Sequence, residues 1–130
     1  MTPTPAETAA MDRALALAQS GWPEVFPNPM VGAVILDRDG AVIGEAHHEC
    51  CGAPHAEIMA MDCARRGLEG ATLVVTLEPC AHQGRTPPCV DRIASSGIRR
   101  VVAAMTDPDP RVSGRGFEYL RSRGIEVVAG

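Results

Sequence analysis

The sequence predicts an α/β domain in which a sheet carries helices on both faces. Two patterns predict it: apolar runs of strand length alternate with stretches of helical spacing, and a hairpin with turn residues precedes that alternation. No internal repeat, low-complexity tract or linker divides the 130 residues, so they read as one domain, with length enough for a core.

The elements follow in order. Met11, Leu15, Ala18 and Trp22 keep helical spacing, which predicts an amphipathic helix over about residues 8–20, ended by Gly21. Pro27-Asn28-Pro29 reads as a rigid loop, because each proline fixes its own φ and restricts its neighbour. Val31 to Leu36 and Ala41 to Ala46 are apolar runs joined by Asp37-Arg38-Asp39-Gly40, a hairpin with turn chemistry in its connection. A helix is expected from His55 to about Arg66, with Ile58, Met61 and Arg65 in register and Gly67 closing it. Thr72 to Leu77 is a short buried strand that runs into Glu78-Pro79-Cys80. Cys89 opens a helix after Pro87-Pro88, Arg100 to Met105 is a strand, Gly116 to Ser122 a helix and Ile125 to Val128 a last strand.

Composition excludes several classes. No apolar run approaches the roughly 20 residues that span a bilayer. The start, Met1-Thr2-Pro3-Thr4-Pro5, lacks the basic and apolar regions of a secretory signal, which places the chain in the cytoplasm. A net charge of −4 disfavours a generic nucleic-acid binder, although residues 91–130 carry seven Arg against five acids. All twelve basic side chains are Arg, so mechanisms that need a Lys Schiff base are excluded. Five Cys in a reducing setting point to spacing, not to disulfides, as the informative property.

The chemistry lies in three short segments. His55-Ala56-Glu57 begins a helix, Glu78-Pro79-Cys80 ends a strand, and Cys89 follows Cys80 after eight intervening residues. One imidazole and two thiolates suit Zn2+ and leave a fourth position for a water whose pKa falls toward neutrality. Glu57, two residues past His55, can reach such a water as general acid and base without ligating. Taken alone, a His-x-Glu is usually a polar loop and two distant Cys are usually small buried hydrophobes. Their joint order on these elements matches the zinc deaminase pattern of H-x-E with P-C-x-x-C, except for the longer Cys spacing.

That spacing is specific. The run Glu78-Pro79-Cys80-Ala81-His82-Gln83-Gly84-Arg85-Thr86-Pro87-Pro88-Cys89 resembles the deaminase domain of the bifunctional riboflavin-biosynthesis deaminase/reductase family. Pro27-Asn28-Pro29 with Val31-Gly32-Ala33-Val34, Pro54-His55-Ala56-Glu57, and Asp107-Pro108-Asp109-Pro110 with Gly114-Arg115-Gly116 carry the same resemblance, from about residue 11 to the C-terminus. It implies a cytidine-deaminase-like three-layer α/β/α sandwich with a central mixed sheet of about five strands. It also implies a hydrolase converting 2,5-diamino-6-ribosylamino-4(3H)-pyrimidinone 5′-phosphate to the uracil and ammonia, without an organic cofactor. By position, Asn28 holds the pyrimidine edge, His48 and His82 contact substrate, and Arg85 suits the ribose phosphate. A homodimer or homotetramer is implied as well.

Departures sharpen the expectations. Asp109 stands where the family has Asn, His47 reads as an exposed loop residue, Cys50 and Cys51 as loop thiols, and Cys63 as core. Residues 1–130 hold no complete Gly-rich dinucleotide fingerprint, since Gly114-Arg115-Gly116 lacks the third glycine. The chain is therefore read as a single deaminase domain, with any reduction of the product left to a separate reductase. Two alternatives stand beside this: a stand-alone deaminase of another free base, nucleoside or specialised-metabolism heterocycle, and a non-catalytic zinc protein. The last would have no use for Glu57, and structural zinc sites usually take four protein ligands.

Overall fold

The computed structural model describes residues 2–20, 31–48, 55–79, 89–106 and 114–129. Their order is α1 (Pro5–Gln19), β1 (Gly32–Leu36), β2 (Val42–His47), α2 (Ala56–Asp62), β3 (Thr72–Val75), α3 (Cys89–Ser96), β4 (Arg100–Ala103), α4 (Arg115–Ser122) and β5 (Glu126–Ala129). The strands form one sheet in the order β2-β1-β3-β4-β5. β1 is antiparallel to both β2 and β3, whereas β3, β4 and β5 run parallel. This is the expected mixed five-stranded sheet.

Alternation along the strands divides the core in two. Ala33, Ile35, Leu73, Val75, Val101, Ala103 and Val127 face α2, α3 and α4, whose contribution includes Ala60, Ile93, Phe117 and Leu120. The intervening Val34, Leu36, Val74, Val102 and Val128 meet Ala10 and Ala14 of α1 on the other face. All five residues of β1 are buried, as expected of a strand covered on both sides. Among the described residues, no helix is long and apolar enough to cross a membrane.

The hairpin turn is built by Asp37, whose Oδ1 accepts from the Asp39 and Ala41 N–H groups, both at 2.9 Å. Gly40 takes φ +87°, and the strand register shifts between Ile35 and Leu36.

Several details differ from the sequence expectation. α1 begins at Pro5 behind a capping box, in which the Thr4 side chain accepts from the Glu7 N–H and the Glu7 carboxylate accepts from the Thr4 N–H. Its buried stripe is Glu7, Ala10, Ala14 and Ala18, not the Met11–Leu15 side; Leu15 is exposed. The reason is close packing: a Cβ on Gly32 would collide with the Ala14 carbonyl, so only small residues fit between α1 and β1. α2 ends at Asp62, and the Arg65 N–H instead donates to the Ile43 carbonyl at 2.8 Å. Cys63 is the C-cap of α2 and is exposed, not core. His47 is the half-buried last residue of β2, paired with Gly32, not an exposed loop residue. Trp22, Pro27, Pro29, Cys50, Cys51 and the Asp107–Pro110 turn lie outside the described residues.

At the sheet end where β4 and β5 begin, Arg100 ties three elements. Its Nε and one terminal nitrogen donate to Glu7 at 2.8 and 2.9 Å, and the other donates to Glu126 at 3.0 Å. Burial pushes the Glu7 carboxyl up, but hydrogen bonds from Arg100 and Thr4 outweigh it and hold the group below its ordinary value. The folded carboxyl thus binds its proton less tightly than the unfolded one, so the stability it contributes is present above the unfolded pKa. It is lost as pH falls through the lowered folded value. Glu7→Ala should destabilise the fold by about 2 kcal/mol near neutral pH, because it removes two charge-assisted hydrogen bonds and leaves Arg100, among the described residues, only Glu126 as an acidic partner. Urea unfolding from roughly pH 7 to about pH 3 should show the parent's advantage over the variant shrinking with acidity. A constant gap would show that Glu7 acts through packing alone.

Candidate active site

The site lies at the other end of the sheet, where β3 and β4 finish. Its floor is stapled by Thr76, whose N–H donates to the Gly32 carbonyl at 3.1 Å and whose Oγ1 accepts from the Gly32 N–H at 3.2 Å. His48 leaves β2 beside them, its N–H donating to the Val31 carbonyl at 3.0 Å. Buried polar side chains concentrate at this end: His48, Glu57, Thr76 and Glu78 are each no more than 6% exposed, while Glu7 is the counterpart at the far end. Polar groups are expensive to bury, and such a concentration marks a site built for something other than core packing.

His55 is the N-cap of α2, in extended backbone at φ −67° and ψ 160°, and makes no side-chain capping bond. Its ring is thereby turned to other work. The His55 Nδ1 lies 3.2 Å from the Sγ of Cys89, the first residue of α3, which is 1% exposed. The His48 ring meets the His55 ring edge-on, with centroids 5.4 Å apart. Thirty-four residues separate His55 from Cys89 in sequence, so their meeting is a product of the fold. Glu57 follows in the first turn of α2 and is 4% exposed, a carboxylate kept within a helix that otherwise buries Ala56, Ala60 and Met61.

This donor pair fits zinc. Tetrahedral coordination, with Zn–N about 2.0–2.1 Å and Zn–S about 2.3 Å, would hold nitrogen and sulfur about 3.6 Å apart. The observed separation of 3.2 Å lies within a few tenths of an ångström of that, with both atoms facing one another. Of the expected site residues, the structure thus brings together His55, Cys89 and His48 and buries Glu57. Cys80, Asn28, His82 and Arg85 lie outside the described residues, although Glu78 and Pro79, which lead into Cys80, are described. Sequence reasoning gave no role to Thr76 or to the Glu78 side chain; the signal available was a polar residue at the end of an otherwise apolar strand.

Comparison with known proteins agrees with this geometry. Residues 5–105 match the family described as the cytidine and deoxycytidylate deaminase zinc-binding region. The chain is 52% identical over 120 residues to the riboflavin biosynthesis protein RibD of Escherichia coli, a match covering 92% of this chain and 32% of that protein. The chain thus spans about a third of the length of that relative. It is 46% identical to the diaminohydroxyphosphoribosylamino-pyrimidine deaminase of Buchnera aphidicola, covering 92% of this chain and 81% of the relative. Among solved structures, the diaminohydroxyphosphoribosylaminopyrimidine deaminase/5-amino-6-(5-phosphoribosylamino)uracil reductase of Thermotoga maritima superposes with a TM-score of 0.90 at 52% identity, covering 96% of this chain and 36% of that one. A half-buried His55 against the buried Cys89 at the end of a mixed sheet agrees with these relatives, which show that the chain belongs to the cytidine and deoxycytidylate deaminase zinc-binding family, as a deaminase domain of the riboflavin-biosynthesis RibD group.

Proposed function

We propose that this chain hydrolyses the amino group from 2,5-diamino-6-ribosylamino-4(3H)-pyrimidinone 5′-phosphate, giving 5-amino-6-ribosylaminouracil 5′-phosphate and ammonia. The observation that carries the reading is the His55 Nδ1 facing the buried Cys89 thiol at 3.2 Å, with the Glu57 carboxylate buried in the adjoining first turn of α2. The names of the relatives supply the substrate, and the zinc-binding description of the family supplies the metal.

His55, Cys80 and Cys89 would hold Zn2+, which when bound lowers the pKa of a water and so supplies a nucleophile at neutral pH. The protons are the work of Glu57. As water oxygen adds to the amine-bearing carbon, Glu57 accepts one water proton and returns it to the neighbouring ring nitrogen. It then moves the remaining hydroxyl proton to the amino nitrogen, the C–N bond breaks, and ammonia leaves as the carbonyl forms. Atoms balance as substrate plus water to product plus ammonia. Burial of Glu57 excludes competing solvent from this relay. Asn28 and His82 complete the ring contacts in this reading, with His48 beside His55, and Arg85 takes the 5′-phosphate. Reduction of the product falls to a reductase outside residues 1–130, and the working assembly is a homodimer or homotetramer.

Three measurements test this. Metal analysis should find about one zinc per chain, lost severely in each of His55→Ala, Cys80→Ala and Cys89→Ala. Dependence on Cys50 and Cys51 instead would overturn the ligand set. Glu57→Gln should keep zinc and fold but lose about 10²–10⁴-fold or more in turnover, since Gln preserves size and carries no proton. Activity within about tenfold of the parent would remove Glu57 from the relay. Arg85→Ala should raise KM for the phosphorylated substrate about 10–100-fold, the equivalent of a charge-assisted contact of about 1.5–3 kcal/mol, and barely alter KM for the nucleoside. Ammonia release from another aminopyrimidine or aminopurine, with none from this substrate, would move the same site to a different heterocycle.

A further inference from the structure

Glu78 is 5% exposed, follows β3 and takes no part in the proton relay above. Its own N–H donates to the Met105 carbonyl at 3.0 Å, holding it beside the end of β4. Its carboxylate reaches across to the start of α4. Oε1 accepts from the Gly114 N–H at 2.9 Å, and Oε2 accepts from the Gly116 N–H at 2.8 Å and the Phe117 N–H at 3.3 Å. The first turn of a helix leaves N–H groups without intrahelical partners and carries positive potential, so a carboxylate is the favoured occupant.

The origin of this carboxylate is unusual. A helix is commonly capped by the residue just before it, but the residue there is Gly114, at φ +80°, which has no side chain to offer. The cap comes instead from 36 residues earlier in the chain. A second contact reinforces it: a Cβ on Gly116 would collide with the Pro79 carbonyl oxygen, so α4 lies directly against the backbone that follows Glu78. Pro79 is itself rigid, since its ring fixes φ. Of the two residues immediately before Cys80, Glu78 is tied to α4 by its carboxylate and Pro79 lies in close contact with Gly116.

We propose that Glu78 is a positioning residue for the metal. By anchoring the Glu78–Pro79 arm to the first turn of α4, it holds the chain that leads to Cys80 in one place relative to the His55–Cys89 pair, so that zinc has less to order on binding. The inference rests on the zinc reading above. Partners one step removed from a metal commonly govern its affinity, because a ligand that must first be oriented binds more weakly.

The test uses the full chain and four proteins: the parent, Glu78→Gln, Glu78→Asp, and Arg100→Met as a control that removes a tie at the opposite end of the sheet. Zinc affinity is read by competition with a chromophoric chelator at a temperature where all four are folded by circular dichroism. Cobalt-substituted protein then reports ligand geometry through its d–d and thiolate charge-transfer bands. Glu78→Gln should weaken zinc binding about 10–100-fold and shift the cobalt spectrum. Glu78→Asp, too short to reach all three donors, should fall between, and Arg100→Met should lose thermal stability while keeping parental affinity and spectrum. If Glu78→Gln yields no folded protein, Glu78→Asp decides by the same two readouts. Affinity within about threefold of the parent and an unchanged cobalt spectrum, whatever the loss of melting temperature, would reduce Glu78 to an ordinary helix cap. A parent chain that binds no zinc would overturn the metal reading itself, a result distinct from a parent that binds zinc and a Glu78→Gln variant that matches it.

Discussion

The meeting of His48, His55 and Cys89 depends on how closely two helices lie on the hairpin. A side chain on Gly44 would bring its Cβ within 2.6 Å of the Ala60 carbonyl oxygen, and one on Gly32 would run into the backbone of α1. With hydrogen at both positions, α2 and α1 settle flush against β2 and β1. The flush seating of α2 brings its N-terminus, and therefore His55 and Glu57, down to the level of His48 at the end of β2. A layer separation larger by even one methyl group would lift that N-terminus away from its partners, because protein interiors transmit such displacements instead of absorbing them.

The two ends of the sheet then divide the labour of carrying buried charge. Near the starts of β4 and β5, Arg100 gathers Glu7 and Glu126, joining the first helix to the last strand. At the finishing ends of β3 and β4 two carboxylates are buried, Glu57 in the first turn of α2 and Glu78 on the backbone N–H groups of α4. The first arrangement holds the sheet together. The second keeps its mouth in a defined shape.

Much of this was legible in the sequence, and the exceptions share a physical cause. The His55-Ala56-Glu57 and Cys89 positions, the hairpin and the alternating strands and helices follow from spacing and turn residues, and each strand and helix expected within the described residues is present. The differences lie where helical spacing alone does not say which face is buried. Met11 and Leu15 look like a core stripe, yet the helix buries Ala10, Ala14 and Ala18, because contact with β1 is made backbone to backbone. Cys63 reads as core on a helix running to Arg66 and is instead left exposed by the early end of α2. The start of α1 was missed although Thr4-Pro5-Ala6-Glu7 spells a capping box with proline at the first position. The role of Glu78 could not be read locally at all, since its partners lie 36 to 39 residues away.

The Glu7–Arg100 tie also bears on how the chain is made. The two residues are 93 apart, so α1 and its seat on β1 emerge from the ribosome well before the arginine that anchors Glu7. At about 5–20 residues per second, the nascent helix waits roughly 5–20 s for its anchor. A 15-residue segment is marginal as an isolated helix, even with good caps, so until Arg100 appears α1 relies on its packing against β1. By contrast, β3, α3, β4, α4 and β5 assemble from sequence neighbours as they appear. Vectorial synthesis thus lets the first helix meet β1 early and leaves its ionic anchor to the second half of the chain.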